Sequence, residues 1–380
     1  MESFCESYPT WDKLSVFLTS EEGGKLAIRD CNEQYAMIWF KKGQSTAAAS
    51  PLFRSVVWSK EANRPICIGP RKACEGPIPL NIPLRVEAFH DGVMVNVFAT
   101  LIDGVVTHGI ASRSKLGATT GFYSKKTFGE MFQEALQQTN RTLETLMEGY
   151  PLPTEEFPSV SVSFVLSHPE HRVVAKPNEP RITPVEIHRI HKSGSLEPII
   201  TSTNYISNVT FDKEDGPWNF LRDESQRHGW TWQGLIFRDS TGTRWRLRTP
   251  TYSYLRELRG NDSDPKLRFL RLRAKGTMKE YLKHYAEERQ LFWGFEQELR
   301  KKTTEIFAAY CSVHKAHEKK LADIEQPHKT IVFKLHAHYL EHLRAFKKTI
   351  QMRDVVDLVN AVPIWEQALL LTSQPPTVLE

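Results

Sequence analysis

Apolar residues recur at two spacings along this chain, and the change of spacing divides it. Up to about residue 255 they form short runs typical of strands, at residues 36–40, 55–58, 94–98, 160–166 and 234–237. Asp-Gly and Gly-Pro pairs punctuate these runs as turns. One helical pattern interrupts them, from 126 to about 147. It opens near Thr127 with Glu130 three residues on, a capping box. Phe128, Met131, Phe132, Ala135 and Leu136 form its apolar face. Residues 151–158 and 176–184 carry prolines and read as surface connectors.

Beyond residue 265 Gly and Pro become sparse and helical spacing dominates. The pattern predicts helices over 278–299, 303–324, 331–347 and 354–371. The expected architecture is therefore an α+β domain of antiparallel strands over 1–255 and an all-helical domain over 256–380. The boundary falls near 249–265, with Gly260-Asn261-Asp262 as a hinge. A length of 380 residues suffices for two cores. No fixed-period repeat occurs, and residues 1–45 give no firm pattern.

Composition narrows the class. Hydrophobic content of 40% and charged content of 25% suit a soluble globular protein. No run reaches the roughly 18 apolar residues of a membrane span, and residues 1–6 lack the start of a secretory signal. Five scattered cysteines without a Cys-x-x-Cys pair suit a reducing compartment, hence the cytoplasm, and argue against a thiolate zinc site. A net charge of +5 is a mild basic bias, compatible with a polyanionic partner.

Several segments carry candidate chemistry. The first is Phe53-Arg54-Ser55-Val56-Val57-Trp58, followed by Ile68-Gly69-Pro70-Arg71-Lys72. Phe89-His90-Asp91-Gly92 comes next, reading as a tight Asp-Gly turn between strands, and then Ala111-Ser112-Arg113-Ser114-Lys115-Leu116-Gly117. Phe164-Val165-Leu166-Ser167-His168-Pro169-Glu170-His171-Arg172-Val173-Val174 follows. The last pair is Trp232-Gln233-Gly234-Leu235-Ile236-Phe237 and Trp245-Arg246-Leu247-Arg248.

In order and spacing over residues 50–255 these segments resemble the motifs of phage-type RNA ligases, within the covalent nucleotidyltransferases. The likeness extends to divergent members from large DNA viruses, which implies a viral protein of the host cytoplasm or the virus particle. The helical C-terminal region also resembles the domain that such ligases append to choose their RNA. The resemblance implies that Arg54, Lys72, Asp91, Gly92, Arg113, Gln233, Arg246 and Arg248 face a nucleotide, with ATP and Mg²⁺ as cofactors if binding is retained.

The departures fall on the reacting groups. Phe89 stands where the family has its attacking lysine and has no lone pair to activate. Val165 and Gln233 replace metal- or ribose-binding carboxylates, and a neutral amide is a poorer Mg²⁺ ligand. Arg246 and Arg248 replace lysines and keep the charge. His90 could act as a substitute nucleophile, but strand alternation turns it away from position 89; Lys72 is the other substitute.

The expected function is a catalytically degenerate RNA-ligase-like protein that binds RNA, a nucleotide or a protein partner. An active ATP-dependent RNA ligase with a non-standard nucleophile is the alternative.

Two further groups have competing readings. Arg256, Arg259, Arg268, Arg271 and Arg273, with Tyr252, Tyr254 and Phe269 among them, form either an RNA-contacting stretch or a solvated helix face over inward Leu267, Leu270 and Leu272. His314, His317, His336, His338 and His342 form either a zinc site of a hydrolase, on the i,i+4 pair His338 and His342, or a semi-exposed polar face. No metal ligand is assigned. Gly121-Phe122-Tyr123 is either an adenine-stacking segment or core.

Overall fold

The structure is a computed structural model and describes residues 1–40, 51–199 and 203–371. The chain divides into two compact units, Met1–Glu257 and Leu258–Glu380.

The N-terminal unit is mixed α+β. Among the described residues, two helices, α1 (Glu2–Ser7) and α2 (Trp11–Thr19), precede thirteen strands in three antiparallel sheets. The first sheet runs in the order β1 (Ala27–Asp30), β2 (Tyr35–Trp39), β3 (Val56–Ser59) and β4 (Arg64–Ile68). In the second, β6 (Val93–Ile102) lies between β7 (Val105–Ala111) and β8 (Ser159–Ser167), and β9 (Arg181–Ile190) and β10 (Leu196–Ile199) complete it beyond β8. The third runs β11 (Tyr205–Val209), β5 (Leu84–Ala88), β12 (Gly234–Arg238) and β13 (Arg244–Arg248).

This topology corrects one expectation. Because β5 and β6 belong to different sheets, Phe89-His90-Asp91-Gly92 is a crossover between sheets and not a hairpin turn. Gly92 is required there by close approach: a Cβ would lie 2.3 Å from the Leu166 carbonyl oxygen.

A second correction concerns 176–184. β9 begins at Arg181, and Pro184 sits inside it at a register shift opposite Phe164. A bulge tolerates a residue with no N–H to donate.

Alternation on the third sheet decides what the site can hold. Leu84, Val86, Leu235, Phe237 and Leu247 point to one side and form a core with Phe211 and Leu221 of and beside α5 (Gly216–Ser225). Their strand neighbours Glu87, Arg238, Arg244, Arg246 and Arg248 point to the other.

The second sheet buries Val95, Val97, Val162 and Phe164 under α3 (Phe128–Gln137) and α4 (Leu143–Met147). The Thr127–Glu130 capping box and the five-residue apolar face of α3 are present as expected. The expected single helix over 126–147 is broken. Asn140 takes a left-handed φ of +52°, and Thr142 opens a second capping box with Thr145.

α6 (Pro250–Arg259) follows β13 directly and contains the division between the units. The C-terminal unit is helical: α7 (Pro265–Ala274), α8 (Met278–His284), α9 (Arg289–His314), α10 (His328–His338), α11 (Met352–Ala361) and α12 (Ile364–Leu369). Its core gathers Tyr281, Phe292, Leu335 and Val355.

Three helix bounds differ from expectation. α9 runs through the gap placed at 300–302 and stops at His314. The pattern at 331–347 is α10 followed by a π turn and a 3₁₀ turn. The pattern at 354–371 is two helices because Pro363 cannot continue the first.

Candidate nucleotide-binding cleft

Position 89 leaves β5 with its amide donating to the Gly234 carbonyl at 3.0 Å. This sets the Phe89 ring on the arginine side of the third sheet. The Arg248 guanidinium lies over that ring, 4.9 Å from its centroid, a cation–π arrangement.

Hydrogen bonding orients the Gln233 amide with its oxygen towards Arg248, accepting from Nε at 3.1 Å and Nη2 at 3.2 Å. The Gln233 nitrogen then donates to the His90 carbonyl at 3.0 Å and to the Tyr252 hydroxyl oxygen at 3.3 Å. Tyr252 in turn donates to Asp91 Oδ1 at 2.7 Å. Asp91 Oδ2 accepts from the amides of Val174 at 3.1 Å and Ala175 at 2.9 Å.

These contacts engage both carboxylate oxygens of Asp91 within the fold. Its carboxylate brackets the sheet crossover to the segment after β8 and to the start of α6. Gly92 and Gly234 are likewise required by the backbone; a Cβ at Gly234 would lie 2.1 Å from the Leu247 carbonyl oxygen. Val165 is buried on β8.

His90 lies away from Phe89, with Nε2 2.7 Å from Asn204 Oδ1. Burial pushes its pKa below the usual histidine value, against the effect of that bond. Lys72 is exposed, on a segment whose Cys74 bridges β13 at Trp245.

Arg54, Arg113, Arg244, Arg246, Arg248 and Arg256 form an electropositive group. Burial, then Arg244, Arg113 and Arg246, push the Arg54 pKa down to about 10. Burial, then Arg256 and Arg246, push that of Arg248 down to about 10. Both remain cationic at neutral pH; burial is the larger cause of each depression, and the neighbouring arginines add to it. Among the described residues no carboxylate lies within 4 Å of Arg54, Arg113, Arg248 or Arg256. Arg113 donates to the Phe40 carbonyl at 2.7 Å, and Arg246 pairs with the exposed Glu75.

Sequence reasoning missed the group that ties the third sheet to the second. Buried Arg238 donates to Glu87 Oε1 at 3.2 Å and to Glu186 Oε2 at 2.8 Å. Arg244 approaches Glu186 at 3.9 Å, and His188 Nε2 lies 3.4 Å from its other oxygen. Burial opposes charge on Glu186, but Arg244, His188 and Arg238 outweigh it and hold the carboxyl below the ordinary range. The signal was present as charged residues alternating with apolar ones on β5 and β13, but β12 carries a single charge and Pro184 disguised β9.

These two carboxylates are committed to arginines, and Val165 and Gln233 supply no anionic oxygen. The residues therefore do not fit the Mg²⁺ that the motif resemblance implies. Among the described residues no cluster of three potential metal-ligating side chains occurs, the C-terminal histidines included. There His314 and His336 stack on each other at 3.8 Å.

Four of the five arginines read as RNA contacts are internal ion-pair partners. Arg259 and Arg268 are buried and both bind Glu288, at 2.9 and 2.8 Å. Arg271 pairs with Asp262, and Arg273 with Glu296 at 3.1 Å. Helical spacing places Arg268 and Phe269 side by side in the buried layer of α7, where the charge needs a carboxylate. Arg256 alone of the five is exposed on α6 without a carboxylate partner among the described residues. Phe122 and Tyr123 pack edge-to-face, and Tyr123 meets His171.

No family profile matches the sequence, and no curated protein does. Among solved structures, an archaeal ATP-dependent RNA ligase is similar at 11% identity and a TM-score of 0.41, over 78% of this chain and 73% of the ligase. A putative ATP-dependent DNA ligase from Aquifex aeolicus is similar at 11% identity and a TM-score of 0.42, over 87% of this chain and 80% of that one. A Naegleria gruberi RNA ligase mutant with ATP and Mn aligns over 46% of this chain and 51% of its own, at 8% identity and a TM-score of 0.31. Likenesses this distant assign no role to any residue of this chain.

Proposed function

We propose that this chain is an RNA-ligase-like protein that binds RNA or a nucleotide through the arginine face of β12 and β13 and does not transfer adenylate. The observation that carries the reading is the Phe89–Arg248–Gln233 contact. The positions that would supply nucleophile, phosphate ligand and metal ligand are engaged with one another, and none offers a reactive lone pair or an anionic oxygen. Around them Arg54, Arg113, Arg246 and Arg256 lack matching carboxylates or hold only an exposed one. An anion is what such a group attracts.

Incubation with α-labelled ATP and Mg²⁺ or Mn²⁺, followed by denaturation, tests the first half. The expected result is an unlabelled chain. An acid-labile adduct lost on Lys72→Ala or His90→Ala would favour the active-ligase reading instead. Binding of a labelled RNA at graded salt tests the second half: affinity falls with salt, and Arg246→Ala lowers both affinity and slope.

A further inference from the structure

A second cavity in the N-terminal unit lies on the opposite side of the third sheet. Its volume is about 420 Å³, and its lining includes Trp218, Arg222, Ser225, His228, Trp230 and Thr251. Trp218 is 53% exposed and Trp230 is 49% exposed. Indoles are large apolar surfaces, and two half-exposed ones on a single cavity suggest a planar ligand. His228 stacks on Trp232 with ring centroids 4.5 Å apart, which fixes a third aromatic plane at the wall.

The polar groups narrow the ligand. Among the described residues, Arg222 is the only fully charged side chain of the lining, and no carboxylate lines the cavity. The nearest acid to Arg222 is its neighbour Asp223, at 3.7 Å and solvent-exposed. Asn219 uses its amide nitrogen on Asp215 at 3.0 Å, which leaves its oxygen to accept from a ligand edge. The site thus combines aromatic faces, a few hydrogen-bonding groups and a cation.

Thr249, Pro250 and Thr251 also line the cavity and follow Arg248 directly in the chain. Three residues span at most about 11 Å, so one bound strand can reach both the cavity and the end of the arginine face.

We propose that this cavity takes an unpaired base of a single-stranded RNA, stacked against Trp218 and Trp230, while the flanking phosphates run towards Arg248 and Arg256. The assignment rests on the RNA-binding reading above and adds a base-stacking subsite to it. A proline-rich peptide, the other ligand that aromatic grooves favour, is less well matched by the neighbouring positive charge of Arg222, Arg248 and Arg256.

The test compares the full-length chain binding an oligouridylate and an abasic sugar-phosphate strand of the same length. The expected result is quenching of tryptophan fluorescence by the oligouridylate alone, with tighter binding than the abasic strand. Trp218→Ala and Trp230→Ala each weaken oligouridylate binding by about 5- to 100-fold, leave abasic-strand binding unchanged and keep the salt slope. Trp218→Phe, which retains a stacking face, recovers most of the affinity and guards against a folding defect. Equal binding of the two strands by the wild type, unchanged oligouridylate binding by both alanine variants, or quenching by a proline-rich peptide but not by RNA would overturn the subsite. Loss of neither strand on Arg246→Ala, or binding of neither strand by the wild type, would instead overturn the parent reading.

Discussion

The Arg248 guanidinium lies over the Phe89 ring at 4.9 Å while Gln233 accepts two hydrogen bonds from it. The motif resemblance implies a lysine beside metal-bound phosphate at this place; this chain has a cation stacked on an aromatic ring there. The exchange is mutually consistent. A phenyl face tolerates a nearby arginine better than an ammonium would, and a neutral amide receives the guanidinium without needing a metal.

Restoring the lysine alone is therefore expected to fail. Phe89→Lys places a second cation beside Arg248, and Val165 and Gln233 still provide no carboxylate. The variant stays unlabelled with α-labelled ATP and either metal, and it melts below the wild type because like charges now meet at a half-buried site. A labelled adduct in this single variant would contradict the account.

Removing the Asp91 bracket should cost stability before it costs binding. Asp91→Ala leaves the Tyr252 hydroxyl and the amides of Val174 and Ala175 without their acceptor. Each buried group left unpaired costs about 1–3 kcal/mol. Urea unfolding should show a lower midpoint with an unchanged slope; an unchanged midpoint would mean that the carboxylate serves something other than the scaffold.

Arg238 joins two sheets through Glu87 and Glu186. Arg238→Ala leaves buried Glu87 with Arg85 and buried Glu186 with Arg244 and His188, so the loss should fall at or below the roughly 3–5 kcal/mol of a fully broken buried pair. Arg238→Met with Glu87→Gln and Glu186→Gln, which removes the charges together, should recover much of that loss. Equal destabilisation of both variants, read by thermal melting, would refute a charge-based cause.

Arg54→Ala should weaken RNA binding and lower the salt slope by about one, and relieve the mutual repulsion among the remaining arginines. Melting temperature is expected to hold or rise, since Arg54 has no carboxylate partner among the described residues. Arg268→Ala should behave in the opposite way, with stability lost through Glu288 and RNA binding unaffected. Fluorescence anisotropy and thermal melting on both variants separate the two cases.

Stability should fall as pH drops below about 6.5. Burial lowers the folded-state pKa of His90, His188 and His314 from the ordinary 6.5. The unfolded chain then binds these protons first, so protonation favours unfolding as pH falls through that value. Around His188 the facing charges are Glu186, which opposes the shift, and Arg238, Arg244 and Arg71, which add to it. Glu186 titrates below the usual carboxylate range and leaves this window to the histidines. Melting temperature measured from pH 7.5 to 5.5 should decline; a flat or rising profile would rule the histidines out.

Local pattern carried the fold class well. Short apolar runs became antiparallel strands, and the capping box and apolar stripe of α3 lie where Thr127, Glu130 and their neighbours placed them. These features depend on residues within a few positions of one another, so the chain states them directly. Helix breaks at Asn140 and Pro363 depend on one residue each, and the apolar period running across them concealed both.

The partner of each polar group was decided elsewhere. One of the two strands beside β5 is β12, some 150 residues on in sequence, and only that pairing sets Arg248 over Phe89 and Arg238 between Glu87 and Glu186. The basic run at 256–273 reads alike in the sequence whether its arginines face RNA or Glu288. Composition and spacing determined that this chain is a mixed α+β protein with arginines alternating along residues 244–248. Tertiary structure decided which of those arginines retain an unmet charge, because an ion pair is a distance in space and the sequence encodes only distance along the chain.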